Sequence, residues 1–122
     1  MSNYRRLYIP GGTYFFTSVC DRRQAIFADK QRVILLRQAF REVKNKRPFK
    51  LLAAAILPDH LHCLWSLPCG DADFSTRWQM VKTAFSRRVP AEVKSNGAKT
   101  LWQPRFYEHC LRDKTNFHNH LN

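Results

Sequence analysis

The chain has 122 residues, enough for one hydrophobic core and not for two, so a single domain spanning 1–122 is expected. Lys and Arg number 21 against 9 Asp and Glu, a formal net charge of +12 that exceeds what solubility requires and points to a polyanionic partner, nucleic acid first. A membrane is set aside, because no apolar stretch reaches spanning length and the basic residues are spread along the chain instead of gathered on one amphipathic segment.

The N-terminal Met1-Ser2-Asn3-Tyr4-Arg5-Arg6 is basic but runs into Ile9-Pro10-Gly11-Gly12 without the apolar core of a signal peptide, so a cytoplasmic protein is expected. Thr13 to Cys20 is β-branched and aromatic, starts after the Gly11-Gly12 turn and stops at Asp21, which predicts a first strand. From Asp29 to about Lys46 the apolar Val33, Leu36, Phe40 and Val43 recur every three or four residues, predicting an amphipathic helix that Pro48 cannot continue. Phe49 to Leu57 is a continuous apolar run of the kind expected of a central strand. Pro58-Asp59 then makes a short connector into an antiparallel neighbour, His60 to Leu67.

After a loop at Pro68-Cys69-Gly70-Asp71, the spacing of Phe74, Trp78, Val81 and Phe85 predicts a second helix ending before Pro90, with Ser75 as N-cap. Residues 91–100 lack any period and read as a basic loop. Leu101 to Leu111 reads as a last strand, with Pro104 indicating an edge or an irregular start. Asp113 or Thr115 is placed to cap a third helix near Asn116, with Phe117 and Leu121 on one stripe and the chain ending after barely two turns. Strand, helix, strand, strand, helix, strand is the ferredoxin-like split βαβ order, an α+β fold in which two helices pack on one face of an antiparallel sheet.

Within Leu57-Pro58-Asp59-His60-Leu61-His62-Cys63-Leu64-Trp65, the histidines are two residues apart. On a strand both rings share a face, while Leu61 and Cys63 point the other way, making Cys63 a poor co-ligand. Two imidazoles with one or two oxygen ligands suit a divalent cation able to polarise a phosphate; manganese or zinc fits imidazole better than magnesium. A lone His-x-His is more often a pair of surface histidines, and it is the charge of the whole chain that shifts the balance. Neither Ser18 nor Thr17 shows a His and acid partner in the sequence, so a hydrolase triad ranks low. The cysteines Cys20, Cys63, Cys69 and Cys110 lack zinc-ribbon or disulfide spacing and read as reduced, mostly buried thiols. Aromatic strands also suit a non-catalytic module that binds single-stranded RNA or DNA by base stacking, although the Lys/Arg-Gly-Phe-Gly-Phe pattern of RNA-recognition modules is absent.

Pro58-Asp59-His60-Leu61-His62 resembles the His-hydrophobic-His signature of HUH endonucleases. Tyr4-Arg5-Arg6, Gly11 to Thr17, Leu57 to Trp65, Asp73-Phe74-Ser75 through Trp78, and Trp102 to His109 together resemble the REP-associated tyrosine transposases, relatives of insertion-sequence transposases that act on single-stranded DNA. The resemblance covers nearly the whole chain. It implies metal-dependent cleavage and joining of single-stranded or hairpin DNA through a 5′-phosphotyrosine, with magnesium or manganese held by His60 and His62 and by a polar residue one helical turn beyond the tyrosine. It also implies a nucleophile immediately after Asn122, so that residues 1–122, as a truncated copy or as a fragment, lack the tyrosine helix and carry no catalytic residue of their own, with the activity lost or incomplete.

Tyr107 is the one substitute weighed for that nucleophile, and half-buried packing is its expected role. Tyr4, Tyr8 and Tyr14 are no better placed. His109, His118 and His120 read as solvated or DNA-facing. Arg5, Arg6, Lys82, Arg87, Arg88 and Arg105 are the candidate DNA contacts, and monomer and homodimer are both left open.

Overall fold

In the computed structural model, residues 8–89 and 101–111 are described. Strand β1 spans Thr13–Cys20, helix α1 Lys30–Lys46, β2 Lys50–Leu57, β3 His60–Ser66, α2 Phe74–Arg88 and β4 Trp102–Leu111. The described strands form one antiparallel sheet in the order β2-β3-β1-β4, the ferredoxin-like arrangement expected from the element order. The candidate helix near Asn116, with its caps Asp113 and Thr115, and the loop 91–100 lie outside the described residues.

The turn into β1 depends on glycine. Gly11 has a φ of 68°, and a Cβ on Gly12 would sit 2.8 Å from the Ile9 carbonyl oxygen and 3.0 Å from the Tyr14 ring. That closeness leaves room for the Gly12 N–H to bond Ile9 O at 2.9 Å and for the buried Tyr14 hydroxyl to donate to the same carbonyl at 2.8 Å.

Alternation along the strands sends Tyr14 and Phe16 of β1 and Leu61, Cys63 and Trp65 of β3 into one core under the two helices. Helix α1 contributes Leu36, Ala39, Phe40 and Val43, and α2 contributes Phe74, Trp78, Val81, Ala84 and Phe85. Phe16 lies at its centre, with ring centroids 4.6 Å from Trp65, 5.4 Å from Phe74 and 5.6 Å from Trp78. Trp65 and Trp78 stack at 4.8 Å, which joins β3 to α2 through two large rings.

Two expectations are corrected. Lys50–Leu57 is an edge strand of the described sheet, not a central one: its long apolar run includes Ala53, Ala54 and Ala55, and the helix crossover of the split motif carries it outside β3. The N-cap of α2 is Asp73, whose carboxylate accepts the Thr76 N–H at 3.0 Å, whereas Ser75 is inside the helix and bonds the Tyr8 hydroxyl at 3.2 Å. The negative charge of the Asp73 carboxylate is also favoured at the positive end of the helix dipole. Asp29 caps α1 by accepting the Gln31 N–H at 2.8 Å. The four cysteines are free, with Cys20, Cys63 and Cys110 buried and Cys69 exposed.

Arg77 is the charged exception inside this core, 2% exposed. Its guanidinium donates to both Asp71 carboxylate oxygens, at 3.0 and 2.8 Å, and to the carbonyls of Arg47, Pro48 and Asp73. It thereby ties the start of α2 to the end of α1 and the entry to β2. Arg77→Met should cost about 3 kcal/mol or more, because the carbonyls it serves lose their donors in a dry site. Urea unfolding will measure this. The Arg77 bonds hold the Asp71 carboxyl down to about 2 against an ordinary 3.8. Because the folded value is the lower, this stabilisation is complete above the unfolded value and drains as pH falls towards 2. Asp71→Asn should therefore be less stable than wild type at neutral pH and lose less on acidification, the difference closing over that window in pH-dependent urea titrations.

Candidate metal and nucleic-acid site

Strand β3 lies inside the sheet, between β2 and β1, so its outward side chains sit in the middle of the face away from the helices. His60 is level with Leu57 on β2 and Val19 on β1, and His62 with Ala55 and Thr17. The two rings share this open face with centroids 4.9 Å apart, nearly perpendicular, as the two-residue spacing predicts. Cys63 points into the core, where burial pushes its thiol pKa up and away from the ligating thiolate.

Each imidazole is held by its Nδ1. His60 Nδ1–H donates to Asp59 Oδ1 at 2.7 Å, and the other oxygen of that carboxylate accepts from Arg23 Nε at 2.8 Å. The bond from His60, then that from Arg23, holds the Asp59 carboxyl below its usual range. Arg23 follows β1 in a short helical turn where Arg22 and Arg23 both adopt left-handed φ values, 55° and 56°. Such strain persists only where the surroundings fix it, and here the Cys20 N–H bonds Asp59 O and the Asp21 N–H bonds Leu101 O, each at 2.9 Å.

His62 Nδ1 lies 2.8 Å from Thr17 Oγ1, and the Phe15 ring stacks on the imidazole with centroids 5.4 Å apart. Thr17 therefore does have a histidine partner, contrary to the sequence reading. Among the described residues it forms no triad, because the nearby carboxylate of Asp59 is committed to His60 and Arg23. Burial, reinforced by the neighbouring His60, lowers the His62 pKa and favours its neutral, ligating form.

With both Nδ1 atoms engaged, the Nε2 atoms are the ones left for a cation among the described residues. A carboxylate or hydroxyl on the far nitrogen is the usual way a ligating imidazole is oriented. The donor chemistry fits two ligands of a divalent ion. Among the described residues no group of three or more His, Cys, Asp or Glu completes a set.

Tyr107 is not the half-buried packing residue expected of it. It is 58% exposed on the open face, because its odd position on β4 pairs it with Thr17, whose other neighbour is His62. Two strand spacings separate it from the histidine, about 10 Å. His109 is exposed on the same face, level with Phe15. Tyr14 is in the core, and Tyr8 stacks on Phe74 at 4.8 Å.

The candidate DNA contacts do not converge on the pair. Lys82, Arg87 and Arg88 belong to α2, on the far side of the sheet. Lys82 Nζ donates to Gln103 O at 3.2 Å, and Arg87 and Arg88 both bond Glu42, whose carboxyl Arg88 and then Arg87 hold down to about 2. Arg5, Arg6, Tyr4, His118, His120 and the side chain of Arg105 lie outside the described residues. Sequence reasoning gave Asp59, Thr17, Phe15 and Arg23 no role beside the two histidines. Asp59 was visible as the neighbour of His60, but the other three become partners only through strand register and the turn after β1.

A family model described as "Transposase IS200 like" matches residues 10–116. The REP-associated tyrosine transposase of Escherichia coli strain K12 is 43% identical over 122 residues, covering 99% of this chain and 68% of that protein. The chain belongs to the IS200-like transposase family. Within it, the solved structure of a REP-associated tyrosine transposase bound to a REP hairpin superposes with a TM-score of 0.83 at 43% identity, over 98% of this chain and 68% of that one. A crystal structure from Deinococcus radiodurans, 18% identical with a TM-score of 0.69 and covering 98% of this chain and 94% of the other, shares the fold. No helix among the described residues is long and apolar enough to cross a membrane.

The geometry makes Asp59 and Thr17 orienting groups for the imidazoles. Should the pair hold manganese, Asp59→Asn and Thr17→Val are each expected to weaken its binding by about 10- to 100-fold with little change in thermal stability, as measured by isothermal titration calorimetry and thermal melts.

Proposed function

We propose that this transposase-family chain binds single-stranded or hairpin DNA over the open face of its sheet, and that His60 and His62 hold a divalent ion, manganese or magnesium, at the scissile phosphate. The observation that carries this reading is the pair of neighbouring imidazoles, each fixed through Nδ1 and each with Nε2 left for a ligand. The relative solved with a REP hairpin supports the choice of DNA partner. When bound, the ion would polarise the phosphate and stabilise its developing charge. The chain's own part is to hold the two nitrogens in register on a rigid central strand, with Asp59 and Thr17 fixing ring orientation.

Cleavage by this route would need a tyrosine oxygen to attack phosphorus, giving a 5′-phosphotyrosine and freeing a 3′-hydroxyl. By family resemblance that tyrosine falls immediately beyond Asn122, so residues 1–122 are proposed to bind DNA without completing the covalent step. The exposed Tyr107 supports a second reading, in which the same face is a stacking platform for single-stranded RNA or DNA without catalysis.

Incubating the 122-residue chain with single-stranded DNA and manganese should give no adduct on a denaturing gel, and extension through a tyrosine-bearing helix should restore one. An adduct formed by 1–122 and lost in Tyr107→Phe would move the nucleophile to β4. In competition binding, hairpin DNA should outcompete unstructured DNA and RNA of equal length, and affinity should fall steeply with salt. Preference for RNA at every salt concentration would favour the second reading.

A further inference from the structure

Beside His62 the open face has a depression of about 230 Å³, walled by Phe15 and Leu64 and bordered on β2 by Ala53 and Ala55. Register explains it. Ala53 is level with Leu64 and Ala55 with His62, so two positions that on most strands would carry branched or aromatic side chains carry methyl groups next to the candidate site. The hollow is therefore made by small residues on an edge strand, and its walls are an aromatic ring already stacked on His62 and a buried leucine.

We infer that this depression is a nucleobase subsite, receiving one base of the strand whose phosphate lies at His60 and His62. The inference rests on the DNA-binding reading above and extends it to a particular base. Three features favour a base. The hollow is lined in part by His62, one of the two imidazoles proposed to act on a phosphate, and the base of a nucleotide lies a short distance from that group. Apart from His62 its lining is apolar and partly aromatic, which suits the face of a base better than a phosphate. It opens on the face of a strongly basic chain, where a polyanion is held by charge while the base adds the short-range contact. Ala55 acts here by leaving space, as a specificity-determining position and not a catalytic residue.

The test uses the 122-residue chain and a DNA hairpin with single-stranded flanks, whose stem fixes the register, in the presence of manganese. One abasic residue is walked along the flanks, and affinity is read by fluorescence anisotropy. One position should stand out, where loss of the base weakens binding roughly five- to hundredfold, the range expected for one stacked base. Ala55→Leu fills the hollow and should weaken binding of intact DNA by a similar factor, but should cause no further loss with the DNA abasic at that position. Ala53→Val is a second, independent filling in case Ala55→Leu does not fold, and circular dichroism shows which variants are folded. Tight binding of intact DNA with no position-specific abasic effect, or filling and abasic losses that simply add, would overturn the subsite and leave the DNA-binding reading standing. Failure of the wild-type chain to bind the intact hairpin would overturn both.

Discussion

Strand β3 has two unlike faces to satisfy, and most of the structure is arranged around that demand. Leu61, Cys63 and Trp65 lie in a dry core, while the His60 and His62 rings lie together on the opposite face. A one-residue slip against β1 or β2 would bury the imidazoles and expose Trp65, so register here is fixed by burial as much as by hydrogen bonds. Both helices are confined to the Trp65 side. Hydrophobic packing on one face thus positions polar chemistry on the other.

Charge is distributed to the same effect. Glu42, Asp59, Asp71 and Asp73 all pair with arginines, and each pair serves a structural purpose: Glu42 links the two helices, Asp71 closes the buried Arg77 network, Asp73 meets Arg47, and Asp59 joins Arg23 to His60. With these acids committed, the large excess of Lys and Arg leaves a cationic molecule suited to a polyanion. Asp59 belongs to both systems, since one oxygen is held by a guanidinium and the other orients an imidazole.

Much of this was legible in the sequence because it depends on local periodicity. The limits of β1, the stripe on α1 and the shared face of His60 and His62 follow from spacings of two and of three to four residues. What failed was what depends on position within the sheet. Lys50–Leu57 has the composition of a buried strand, but three alanines bring so little side-chain volume that an apolar run need not be covered on both sides. Tyr107 reads as a packing residue until register places it on the open face. Thr17 lies 45 residues from His62, so their contact appears only when β1 and β3 pair. Lys82, Arg87 and Arg88 look like DNA contacts by charge, yet α2 carries them to the other side of the sheet, and Glu42 binds two of them.

The central claim is that His60 and His62 act together through Nε2 as ligands of one divalent ion. Pulsed electron paramagnetic resonance of manganese bound to the 122-residue chain tests it directly, because coordinated imidazole nitrogens couple to the metal's electron spin. The account predicts two nitrogen couplings in the wild type and one in each of His60→Ala and His62→Ala. Bound manganese with no nitrogen coupling, or with a coupling unchanged in both variants, would contradict it.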